Sequence, residues 1–141
     1  MGKRGLPLQY GEVPLVQIRI EVFRAEDNYF ATFNELNSAD EYDIRCIWEA
    51  PTSSRIKQRV CRAKFVDDLM AEEAQALLRG DPVTPTFGRM QVKGSRLHQE
   101  MKTLVLEHPE LLDALTEFDA TKDRYESERE RRCAGRILFC R

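Results

Sequence analysis

Asp43-Ile44-Arg45-Cys46-Ile47-Trp48-Glu49-Ala50-Pro51-Thr52-Ser53-Ser54-Arg55-Ile56-Lys57-Gln58-Arg59-Val60-Cys61-Arg62-Ala63-Lys64 is the stretch on which the fold turns. Ile44, Cys46 and Trp48 alternate with Asp43, Arg45 and Ile47, and Pro51 to Ser54 supply a turn. Ile56, Val60 and Cys61 lie beyond it, which predicts a short β-hairpin over about 43–64. If Cys46 faces Cys61, antiparallel register sets Ile47 opposite Val60 and Trp48 opposite Arg59. The first pair is apolar, and the second is a candidate cation–π contact. A disulfide at that position would close a loop of about 15 residues, worth on the order of 3 kcal/mol in the chain-entropy model. A two-stranded hairpin is marginal alone, so such a staple would have a physical purpose.

The flanking sequence is helical. Upstream, Ile18, Val22, Ala25, Tyr29, Phe33 and Leu36 recur at spacings of four and three and predict an amphipathic helix over about 17–37. Ser38 and Asp40 break it. Residues 1–16 open with Gly and Pro and read as a flexible N-terminal arm. Downstream, a second helix is expected from Val66 or Asp67 to Arg79. Asp67, Asp68, Glu72 and Glu73 suit its start, Gly80 suits its stop, and Leu69, Met70, Ala74, Leu77 and Leu78 are its expected buried face. Residues 81–88 read as a linker. A third helix, from about Met90 to Glu107, carries Leu97, Met101, Leu104 and Val105.

Pro109 disfavours helix at His108 and fits the first turn of a fourth helix running to about Arg132. Its stripe is Leu111, Leu112, Leu115, Phe118, Lys122 and Tyr125. The charged turns Asp123 to Arg132 read as a solvated extension laced with ion pairs. Gly135 ends it, and Ile137-Leu138-Phe139 forms a short apolar tail.

The 141 residues are 42% hydrophobic and 33% charged, with 22 basic and 24 acidic side chains and a net charge of −2. Such a balance excludes a globally basic nucleic-acid binder, an acidic tail and a disordered chain. No apolar run reaches the length of a membrane span. The first residues lack the apolar run of a signal peptide, so no leader is expected in the sequence as it stands; a start site assigned too late would read the same. Four cysteines, at 46, 61, 133 and 140, fall into two local pairs, which suits two disulfides in an oxidising compartment. Reduced thiols are the alternative. A four-cysteine metal site is disfavoured, because neither pair has the two-to-four-residue spacing of a zinc knuckle.

Catalytic signals are missing from the pattern. His98 and His108 read as helix-surface and helix-end residues, and the acidic pairs of the second helix as dipole-matched side chains. There is no phosphate-binding glycine loop, no H-E-x-x-H and no G-x-S-x-G. No cofactor is expected. The strongest local feature is basic: residues 44–64 carry six bases and one acid, whereas 25–43 carry six acids and no base. Trp48, Arg55, Lys57, Arg59 and Arg62 are the candidate binding residues, for an anion or a phosphate backbone. The plainer reading is that the hairpin docks on the acidic end of the first helix. A thiol redox protein using Cys133 and Cys140 ranks last, because a helix C-terminus has the wrong dipole sign to activate a thiol.

Phe33-Asn34-Glu35-Leu36-Asn37, Tyr42-Asp43-Ile44 with Cys46, Ser54-Arg55-Ile56-Lys57 with Arg59-Val60-Cys61, and the break His108-Pro109-Glu110-Leu111 resemble a group of small, uncharacterised exported proteins of Gram-negative bacteria. Ser53 stands where that pattern favours glycine. The resemblance implies a periplasmic location and a Cys46–Cys61 disulfide, and no activity. The expected molecule is therefore mainly α: about four helices plus one short disulfide-stapled β-hairpin (α+β), one domain over 17–141. Its expected role is a non-enzymatic periplasmic binding or structural protein with a protein partner. A homodimer through the Leu111–Tyr125 stripe is one candidate. A cytoplasmic anion- or nucleic-acid-binding module is the alternative.

Overall fold

The computed structural model describes residues 12–83 and 85–134. Its elements follow the expected order: α1 (Leu15–Leu36), a 3-10 turn (Asp40–Tyr42), β1 (Ile44–Glu49), β2 (Gln58–Ala63), α2 (Lys64–Arg79), α3 (Thr86–Glu107) and α4 (Pro109–Cys133). Over the described residues the protein is mainly α with one two-stranded antiparallel sheet. β1 and β2 pair in the register Cys46↔Cys61, Ile47↔Val60 and Trp48↔Arg59. Cys46 and Cys61 form a disulfide, S–S 2.17 Å.

α1 is the central element. Ile18, Ala25, Tyr29 and Phe33 are its buried residues, spaced by seven and four so that they share one face. Tyr29 and Phe33 enter a core with Tyr42, Ile44, Ala63, Phe65, Leu69, Leu104, Leu111 and Ala114, where Phe33 and Leu111 are fully enclosed. α4 lies antiparallel along α1: Phe118 stacks on Tyr29 at 6.3 Å between centroids, Arg124 pairs with Glu21, and Arg131 pairs with Glu12. The charged end of α4 is largely exposed and laced with ion pairs, as expected, and some of those pairs reach across to α1 and the residues just before it. Its inward residues hold on to α1, Arg132 reaching the Val13 carbonyl at 2.7 Å. An alternation of acids and bases cannot show from sequence whether the pairs form within a helix or between two.

Several boundaries move. α1 begins at Leu15, inside the stretch expected to be a loose arm. α2 starts at Lys64, directly off β2, so Phe65 reaches the core and meets Tyr42 edge-on at 6.3 Å. α3 begins at Thr86 rather than near Met90. Pro82, Pro85 and Gly88 look like breakers, but Pro85 precedes the first turn, where a missing N–H costs nothing. Gly80 ends α2 in the left-handed region, φ 72°. There glycine avoids the Cβ penalty, and the Asp81 N–H donates to the Ala76 carbonyl at 2.9 Å.

The expected buried face of α2 is the largest correction. Leu69 is buried, whereas Met70, Leu77 and Leu78 are exposed, Leu78 to 88%. Leu112 of α4 is also exposed, and Ala114 takes the buried place. Cys140, and with it the expected Cys133–Cys140 disulfide and the Ile137–Phe139 tail, lies outside the described residues.

Candidate functional site

Alternation turns one face of the hairpin to α1, carrying Ile44, Cys46, Trp48, Arg59, Cys61 and Ala63. Asn34 fixes the base of this contact. Its side-chain amide donates to the Ile44 carbonyl at 2.9 Å and accepts from the Ile44 N–H at 2.8 Å, as a strand neighbour would. Asn37 donates to the Asp43 carboxylate at 2.8 Å and accepts from the Ala39 N–H at 3.0 Å, which turns the chain out of α1. The Lys64 N–H donates to the Asp43 carbonyl at 2.9 Å and closes the hairpin. Phe33, Asn34 and Asn37 therefore act in succession as core anchor, strand clamp and turn former.

Arg59 sits at the centre of the contact, its side chain only 9% exposed. Its guanidinium pairs with Glu26 at 3.1 Å and Asp27 at 2.7 Å and lies 4.9 Å from the Phe23 ring centroid. Phe23 in turn meets Trp48 edge-on at 5.8 Å. The cation–π partner expected across the strands, Trp48, is not the one found: Arg59 lies over Phe23 of α1 instead. Arg59 Nε is buried with no hydrogen-bond partner, a cost of about 1–3 kcal/mol that the ion pairs and packing must offset. Burial raises the pKa of Glu26 above 4.5, and the Arg59 charge works against that rise.

Arg62 points to the opposite face. It holds Glu49 through two hydrogen bonds, 2.6 and 2.9 Å, and Asp67 at 2.5 Å. The Arg62 bond keeps the Glu49 pKa below the ordinary carboxylate value, and these acids raise that of Arg62. Of the five candidate binding residues, Trp48, Arg59 and Arg62 are thus engaged within the molecule. Arg55 and Lys57 are exposed in the turn beside Ile56. Lys57 precedes β2, so it does not share a strand face with Arg59.

Glu26, Cys46 and Cys61 bring one carboxylate oxygen and two sulfurs within 4.8 Å. They could hold a metal only as thiolates, and the disulfide ties up both sulfurs. The Glu26 oxygen lies 3.6 Å from Cys61 Sγ. A disulfide sulfur has no proton to donate, so this is a contact rather than a hydrogen bond. His98 is exposed on α3. His108, between α3 and α4, has Nδ1 3.3 Å from the Glu110 carboxylate. Ser95 lies one turn from His98 on α3, but among the described residues no hydrogen bond joins either histidine to a serine or cysteine.

The second surface was invisible in the periodicity. Met70, Ala74, Leu77 and Leu78 form an outward stripe on α2, and Val83, Phe87 (74% exposed) and Val92 follow beyond the Gly80 turn. Arg79 pairs with Asp81, and Arg89 with Glu72, at its rim. α2 thus has two apolar stripes, one buried through Phe65 and Leu69 and one facing outward. A helix hydrophobic on both sides reads from sequence as one broad buried face; the excess apolar width was the available signal.

Among the described residues, no helix is long and apolar enough to cross a membrane. Family models, curated proteins and solved structures were each compared with the chain, and none matches it.

Proposed function

We propose that the chain is a non-enzymatic interaction protein of an oxidising compartment, the periplasm being the one its resemblance implies, and that it acts as a pair of copies joined through the α2–α3 tip. The exposed stripe of Met70, Leu77, Leu78, Val83 and Phe87 carries this reading, because apolar side chains grouped on one surface mark interaction sites. Asp67, Glu72, Arg89 and Lys93 pair within the chain, which leaves Asp68 and Glu73 of α2 and Arg96 of α3 to meet their opposites in a second copy. The Leu111–Tyr125 stripe is not needed for pairing, since Leu111, Ala114, Leu115 and Phe118 already belong to the core or pack against it. The Cys46–Cys61 disulfide supports the compartment. A phosphate-binding hairpin draws less support, because Arg59 and Arg62 are spent on the chain's own carboxylates.

Sedimentation velocity across about a hundredfold range of concentration tests the pairing. The expected result is a dimer that dissociates on dilution and that Leu78→Asp, at a fully solvated position, reduces to monomer. A monomer throughout sinks the proposal. Alkylation of the unreduced protein from its native cells tests the compartment, with Cys46 and Cys61 expected to take no label.

A further inference from the structure

At the opposite end of α3 from this tip, a groove of about 490 Å³ opens between α3, α4 and α1. Its origin is local. His108 is the sole residue between α3 and α4, and Pro109 starts the new helix at once, so the two helices leave one point in different directions. The wedge between them stays open, and Tyr29 of α1 closes its back. From α3 come His98, Met101, Lys102, Val105 and Leu106, spaced by three and one so that they form a single face; Leu115 comes from α4. This face covers roughly 12 Å of helix.

We propose that this groove binds a medium-chain alkyl carboxylate, its hydrocarbon along Met101, Val105, Leu106 and Leu115 and its headgroup at Lys102 and His98. The size falls within the roughly 300–1,000 Å³ of small-molecule sites. The wall is almost wholly hydrocarbon, and Leu106, 87% exposed at the mouth, gains most from being covered. Besides Tyr29 at the back, the polar side chains in the lining are two nitrogen bases one turn apart on α3, and no carboxylate lines the groove. Neither base is in an ion pair among the described residues. On the α4 side, Asp119 adds to burial in raising the Tyr29 pKa, so negative potential lies there and the anionic head belongs at the α3 rim.

Calorimetric titration with decanoate, decyltrimethylammonium and decanol, each kept below micelle formation, tests the site. Decanoate is expected to bind in a saturable one-to-one step, and the cationic amphiphile at least about tenfold more weakly. Lys102→Glu, at an exposed position, is expected to weaken decanoate by at least about tenfold and to spare decyltrimethylammonium. Circular dichroism confirms that each variant is folded. Absence of saturation, equal affinity for all three headgroups, or indifference to Lys102→Glu would overturn the proposal. So would a change in sedimenting mass on Leu106→Asp, which would make the groove an interface between copies. The α2–α3 pairing fails or stands separately, since its test rests on Leu78 at the far end of the molecule.

Discussion

The two parts of α1 are covered by different chemistry. The C-terminal part, from Phe23 on, offers Tyr29 and Phe33 to the core, clamps Ile44 through Asn34, and seats a disulfide-closed hairpin on Phe23, Glu26 and Asp27. The N-terminal part, before Phe23, has one fully buried side chain, Ile18, and it and the residues just ahead of it are held to α4 by Glu21–Arg124, Glu12–Arg131 and the Val13 carbonyl with Arg132. Apolar burial and a covalent link carry stability at one end. Exposed ion pairs at the other set the alignment of two long helices and contribute little energy. Length of contact is therefore a poor guide to strength in this molecule.

Removing the staple is the largest test of that contrast. Cys46→Ala combined with Cys61→Ala is expected to lose about 3 kcal/mol in urea unfolding, the chain-entropy value for a loop of this size. Reductant added to the native chain should lower its midpoint and leave the double variant unmoved. A double variant as stable as the parent would shift the weight of this end onto the Asn34 clamp and the core.

Arg59→Ala is expected to cost about 2 kcal/mol near neutral pH, the buried-pair value discounted for the exposure of Asp27. It leaves Glu26 partly buried without its main cation. Because burial already raises the Glu26 pKa, this group favours the folded state at low pH and loses that contribution as pH rises through its folded value. The Arg59→Ala deficit should therefore shrink when unfolding is followed near pH 4, where Glu26 carries a proton. A deficit independent of pH would assign the loss to packing against Phe23 alone.

The smallest effect belongs to the other part. Arg124→Ala and Arg131→Ala are each expected to lower the unfolding midpoint only slightly, an effect that fades at high salt. Losses as large as that of Arg59→Ala would erase the distinction between the two ends.

Much of this architecture was legible in the sequence. The α1 stripe, the hairpin register, the helix break at His108-Pro109 and the Gly80 stop follow from periodicity and backbone chemistry, which are local. What escaped depends on three dimensions. Met70, Leu77 and Leu78 have the spacing of a buried face, and only the position of α3 leaves them outside. Arg59 and Arg62 read as a basic patch because their acids, Glu26 and Asp27 for one and Glu49 and Asp67 for the other, lie on neighbouring elements. The groove at Lys102 has no sequence signature, since it arises from the divergence of two helices at Pro109.

The disulfide also relieves a burden elsewhere in the chain. In most hairpins the turn must specify which residues face one another, and its sequence is constrained accordingly. Here the sulfurs and the Asn34 clamp hold the strands in place. The stretch Pro51 to Lys57, largely exposed, is free of that task. Doubling such a loop costs only about 0.6 kcal/mol in closure entropy. The hairpin tip is thus the position most open to evolutionary drift, and the natural place to graft an epitope or label without altering the rest of the molecule.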